Sequence, residues 1–93
     1  VLQLNPDRAA ALYAEGERAL NTKSFMVANL QFQTMLWLDP TAHRAHYARG
    51  VALAGLGRNK QAIASYERYL KTDATSAWAK QAKDAIRRLK EAR

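Results

Sequence analysis

Apolar residues along this chain recur at intervals of three and four. Ala28, Phe32, Met35 and Leu36 form one such set. Ala62, Ile63, Tyr66, Tyr69 and Leu70 form a second, and Trp78, Ala82, Ala85, Ile86 and Leu89 a third. Each set falls on one side of a helix with 3.6 residues per turn. The punctuation between the sets predicts five helices. The first spans about Asp7 to Asn21, with Asn5 or Asp7 as cap and Pro6 tolerated in the first turn. The second spans Phe25 to Leu38 behind Ser24. The third spans Ala42 to Leu56, capped by Thr41 or Asp39, with Gly57 suited to the left-handed residue beyond its end. The fourth spans Lys60 to Thr72 with Asn59 as cap. The fifth follows Thr75 or Ser76 and runs from Ala77 to near Arg93.

Composition makes the helical reading firmer. The chain has 93 residues, among them 19 Ala and 11 Leu against 3 Val and 2 Ile. Alanine is the strongest helix former, whereas Val and Ile are stiff at χ1 and favour sheets. Four glycines and two prolines are too few for a hairpin-rich β protein. An all-α fold follows, and alanine-rich faces let helices approach closely.

The pattern also repeats. Leu4-Asn5-Pro6 returns as Leu38-Asp39-Pro40, and after a second equal step in degraded form as Thr72-Asp73-Ala74. The same step links Leu2, Leu36 and Leu70, Tyr13 and Tyr47, Gly16 and Gly50, Ala28 and Ala62, and Phe32 and Tyr66. Ala14, Ala48 and Ala82 hold it through successive copies. So many residue types in one register mark an internal repeat of two helices.

The unit resembles the tetratricopeptide repeat, a helix–turn–helix of about 34 residues, the same length as the step here. That family keeps a small residue in its first helix, here Gly16 and Gly50. Its second helix keeps an alanine and, one turn on, an aromatic, here Ala28 with Phe32 and Ala62 with Tyr66. A proline closes the unit, here Pro40, with Ala74 in the second copy. Gly57 matches a common turn glycine where the first unit has Lys23. The departures are Leu12 and His46, Glu15 and Arg49, and Ala19 and Leu53, at positions the family fills with other large or apolar residues. The resemblance implies a solenoid of antiparallel helix hairpins, an α-α superhelix. It divides the chain into a lead-in at 1–6, a first unit at 7–42, a second at 43–76 and a capping helix at 77–93. The phase places Val1–Pro6 at the tail of a preceding repeat. The chain then reads as a piece of a longer protein, or as a small complete one with a short lead-in.

Charge and missing chemistry narrow the function. The net charge is +7, from 15 basic and 8 acidic residues. The segment 77–93 carries six basic and two acidic side chains, more than half of that excess. The bland reading of this basic amphipathic helix is a solvating cap over an exposed repeat end. The sharper one is a basic helix that binds a membrane, an acidic partner, or another anionic surface such as nucleic acid; it is the weaker alternative, because a repeat array without a cap exposes a sticky end. Zero cysteines exclude disulfides, thiolate metal sites and thiol catalysis, without fixing a compartment. No stretch is long and apolar enough for a membrane-spanning helix. Gly55-Leu56-Gly57 is a helix end and not a phosphate loop. His43 and His46 lie three apart on a helix face and could share a metal, but no carboxylate or further histidine stands nearby in sequence to complete a site. Glu15 and Glu17 point to different sides of a helix, so they make no acid–base pair. No catalytic constellation and no cofactor site emerges.

The family resemblance points to binding in a concave groove lined by the first helix of each unit. The residues it selects are Ala10, Tyr13, Glu17 and Leu20, then Arg44, Tyr47, Val51 and Ala54. The last helix adds Trp78, Gln81, Ala85 and Arg88. Tyrosine, tryptophan and arginine combine large area with directional polar groups, as recognition surfaces do. The competing reading has Tyr13 and Tyr47 simply packed between helices. One family subclass clamps a terminal carboxylate through asparagines. Here those positions are Ala14, Glu17, Ala48 and Val51, which argues against that clamp, while Arg44 and Arg88 favour a ligand of acidic character. The expected function is therefore a peptide-binding scaffold. Self-association through repeat ends is the first alternative. Trp37, on the outward side of the second helix, reads equally as a surface contact patch or as packing against a neighbour.

Overall fold

The computed structural model describes residues 6–91, with side chains from residue 10 onward. Five α-helices account for nearly all of them: α1 (Pro6–Asn21), α2 (Phe25–Leu38), α3 (His43–Gly55), α4 (Asn59–Thr72) and α5 (Ala77–Glu91). Each packs on its neighbours in sequence, and α1 also touches α3. The helices thus form successive hairpins in a row, 40 × 28 × 22 Å overall. The fold is all-α, as periodicity and composition require. The lead-in residues Val1 to Asn5 lie outside the described residues, and Pro6 already opens α1.

The joints within the two hairpins are copies of one another. At the end of α1, Ser24 N–H donates to Ala19 C=O at 2.8 Å and Lys23 N–H to Leu20 C=O at 3.1 Å. At the end of α3, Arg58 N–H donates to Leu53 C=O and Gly57 N–H to Ala54 C=O, both at 3.0 Å. This paired closure satisfies the last carbonyls of a helix and needs one left-handed residue. Gly57 supplies it at φ +77°, and Lys23 adopts it at φ 60° despite its side chain.

Several expected caps are corrected. Ser24 stands at the α2 N-cap, yet its hydroxyl makes no capping bond and meets that of Thr22 at 3.2 Å. Ala42, not Thr41 or Asp39, is the N-cap of α3. Asp39 instead closes a local turn, accepting from Thr41 N–H at 3.1 Å and from its hydroxyl at 2.5 Å. Asn59 is the first residue of α4, and Arg58 holds the cap position. Ser76 does work as a hydroxyl cap, its Oγ accepting from Ala79 N–H at 3.2 Å. Turn closure by Asp39 and by Asp73 competes with simple capping at both inter-unit joints.

Packing follows the repeat. One core cluster joins Ala19, Ala28, Phe32, Ala45, Ala48 and Ala52, and a second joins Leu53, Ala62, Tyr66, Tyr69 and Ala82. Alanines at the contacts bring the helix axes close, and aromatic rings fill the remaining space. The glycines make room for those rings. A Cβ on Gly16 would come within 2.5 Å of Phe32 Cζ, and one on Gly50 within 2.9 Å of the Tyr66 ring. Of the stripe expected on α5, Ala82 is buried and Ala85, Ile86 and Leu89 pack against the second cluster. Trp78 departs from it and stays half exposed, while Ala79 is buried in its place.

Candidate functional site

The side chains of α1 and α3 that face away from α2 and α4 border an open hollow of about 490 Å³. Ala10, Tyr13, Ala14 and Glu17 supply the α1 wall, one turn apart along the helix. Met35 closes the inner end, and His43 and Arg44 form the far wall with the Thr41–Ala42 joint. Tyr13 is held in place by Phe32, against which it packs edge-on with ring centroids 5.6 Å apart. Ala10 and Ala14 are exposed and small, so they project little bulk into the hollow. Burial raises the Tyr13 pKa; Glu17 raises it further and Arg44 opposes. The Tyr13 hydroxyl therefore lies within the field of both an anion and a cation. Arg44 forms no ion pair with any carboxylate among the described residues.

The equivalent place in the second unit is filled. One repeat step along the chain, Met35 becomes Tyr69, Arg44 becomes Trp78 and Tyr13 becomes Tyr47. These three pack into one aromatic cluster: Tyr47 lies 5.4 Å from Tyr69, 5.0 Å from Trp78 and 5.4 Å from Tyr66, edge-on in every case. The Tyr47 hydroxyl donates to Gln81 Oε1 at 2.9 Å. Burial pushes the Tyr66 hydroxyl up to about 12 and raises that of Tyr47, with Arg88 pulling both down. Tyr69 donates to Asp73 Oδ2 at 2.5 Å, and Asp73 also accepts from the Ser76 hydroxyl. These donors hold the Asp73 carboxyl down at about 2. Aromatic bulk and a hydrogen-bond chain thus lock α3, α4 and α5 together where the first unit leaves a void.

The nine residues singled out from the sequence divide accordingly. Tyr13, Glu17 and Arg44 line the open hollow. Leu20 and Val51 pack partly buried against the two cores, and Tyr47 serves the second core as well as the groove face. Trp78 and Gln81 are fastened to Tyr47, and Arg88 is exposed and acts on Tyr47 through its charge. Sequence reasoning missed Met35 and His43 as wall residues. The signal for Met35 was its register with Tyr69, a smaller side chain at the same place. Trp37, for which two readings were open, is 75 % exposed. The chain matches no protein-family model and no curated protein sequence.

Proposed function

We propose that this chain is a protein-interaction scaffold of the tetratricopeptide kind, two such units with α5 as cap, and that it binds a peptide along the face of α1 and α3. The observation that carries the reading is the asymmetry of the two hollows. The register gives both units the same frame, but the first keeps an open hollow beside Tyr13 where the second packs Tyr69 and Trp78 against Tyr47. Such a void accepts one apolar anchor of a ligand, against Tyr13 and Met35. Arg44, unpaired among the described residues, takes a carboxylate at its rim, while Glu17 disfavours a second one on the α1 side. The matched joints, the Gly–aromatic pairs and the alanine contacts support the family resemblance, since they recur at its repeat length. Catalysis is no part of the proposal, and the second unit's aromatic cluster serves as a rigid base.

Selection from a random peptide library displayed on phage tests it. Enriched peptides are expected to share an apolar residue near an Asp or Glu. Their binding is expected to fall at least about tenfold with Arg44→Glu and with Ala14→Trp, which fills the hollow from an exposed position. Failure to enrich any sequence, or enriched peptides indifferent to both substitutions, overturns the assignment.

A further inference from the structure

The opposite side of the molecule carries a second surface. On α2, Met26, Leu30 and Trp37 are 56 %, 58 % and 75 % exposed. With Gln33 they follow the 4-3-4 spacing of a coiled-coil seam, about 16 Å long. This seam lies across the helix from the buried Ala28 and Phe32. Helix α2 contains no charged residue. The same register positions on α4 are Lys60, Ala64, Glu67 and Lys71. One hairpin thus presents an ordinary solvated outer face, and the other an apolar one ending in an exposed tryptophan.

Beside Trp37 the surface turns cationic. A hollow of about 250 Å³ where α2 meets α3, with α4 at its edge, is bordered by Trp37, Gln33, His46, Arg49 and Arg68. The last three continue into a second hollow of about 350 Å³. Arg49 Nε donates to the buried Asn29 at 3.1 Å, which fixes the guanidinium between the helices. His46 Nδ1 is buried without a hydrogen-bond partner. Burial and then Arg68 and Arg49 lower the His46 pKa, and burial and then Arg68 lower that of Arg49. Glu67, next to Arg68 in the chain, forms no ion pair with either arginine. The helical period puts His46 and Arg49 on the side of α3 opposite Arg44 and Tyr47, so this surface is distinct from the proposed groove.

We infer that the outer face of α2, with the arginine-lined groove beside it, binds an amphipathic helix whose apolar stripe is bordered by carboxylates. The seam takes the apolar stripe, and Arg49 and Arg68 take the acidic edge. Both observations need the same occupant. A nucleic acid or polyphosphate satisfies the arginines but leaves Met26, Leu30 and Trp37 in water. A second copy covers the seam but brings another chain of net charge +7 toward Arg49 and Arg68, which form no ion pair among the described residues.

The test uses fluorescence anisotropy with designed helical peptides of about 20 residues, long enough to span the seam. One carries leucines at seam spacing flanked by glutamates. A second has lysines for the glutamates, and a third scrambles the order. Binding is expected for the first peptide alone and weakens as salt rises. Leu30→Lys and Arg68→Glu, both exposed and so compatible with folding, are each expected to weaken it at least about tenfold. Circular dichroism melts confirm that both variants fold. Arg44→Glu is expected to leave it unchanged, which separates this face from the groove. The inference is overturned by no binding, by equal binding of the scrambled peptide, or by loss with Arg44→Glu in place of Leu30→Lys. Sedimentation showing a dimer that Leu30→Lys dissolves assigns the seam to a second copy, and a DNA oligonucleotide bound through Arg68 but indifferent to Leu30→Lys assigns the groove to nucleic acid. Either result also overturns it.

Discussion

Asp73 shows how much one side chain can tie together, and how little of that shows in its letter. It reads as a degraded repeat of Asp39, in a tripeptide that has lost its proline. In the structure it accepts hydrogen bonds from the Tyr69 and Ser76 hydroxyls and from the Ser76 and Thr75 amides. Its pKa falls from 3.8 to about 2, and the Ser76 and Tyr69 hydroxyls are the leading causes. The sign of the linkage follows. A carboxyl depressed by folding contributes stability that is complete above its unfolded pKa and is lost as pH falls through the folded one. Denaturant melts of the wild type are therefore expected to lose stability between about pH 4 and pH 2, and Asp73→Asn to show a shallower loss over that window. Parallel curves for the two proteins would mean the carboxylate is not held this way. The small size of Gly16 and Gly50 was legible, but its reason was not. They stand under Phe32 and Tyr66, a steric relation between partners on different helices that only the packed hairpin reveals.

At the scale of elements, helix existence was legible and helix ends were less so. Periodicity locates α2, α4 and α5, each of which has an apolar side to bury, and the punctuation between them places α1 and α3. The ends depend on joints, where Asp39 turns back on Thr41 instead of capping, and where Ala42 and Arg58 stand at cap positions with no side-chain bond. The hairpin joint is the clearest case. The register aligned Lys23 with Gly57, but nothing in a lysine announces a positive φ. The structure puts Lys23 at φ 60° in the same closure that Gly57 makes. A left-handed residue with a Cβ is strained by roughly 1–2 kcal/mol, and glycine returns part of that through its greater freedom in the unfolded chain. Lys23→Gly is thus expected to stabilise the fold by about 0.5–1 kcal/mol, read as a higher urea midpoint at unchanged slope. A lower midpoint would show that the α1–α2 joint is not the twin of the α3–α4 joint. The outer face of α2 was legible only as the question raised by Trp37, since Met26 and Leu30 are ordinary helix residues until the core side is known.

Across the whole molecule, the two units differ where it matters for binding, and the difference is one of volume. Tyr13 and Tyr47 looked equivalent in the sequence, and their ring contacts with Phe32 and Tyr66 are indeed alike. What separates them comes from other elements: Met35 and Arg44 stand where Tyr69 and Trp78 stand one unit on. A void formed by three helices has no local signal, because each of its walls is ordinary and only their sum leaves about 490 Å³. The arrangement gives a decisive exchange. Met35→Tyr with Arg44→Trp copies the second unit's cluster into the first and closes the hollow. Edge-on aromatic pairs contribute about 0.5–1.5 kcal/mol each beyond the area they bury. The double variant is therefore expected to gain about 1–3 kcal/mol in a thermal or urea melt, with the two substitutions coupled through Tyr13, as Tyr69 and Trp78 both pack on Tyr47. It is also expected to lose all binding of peptides selected on the wild type, while the designed acidic helix still binds the α2 face. Stability gained with groove binding retained would place the ligand elsewhere on α1 and α3. Stability lost would mean that the first hollow is shaped by its own α1 wall, Ala10 and Ala14 included, and not by the absence of the two large side chains.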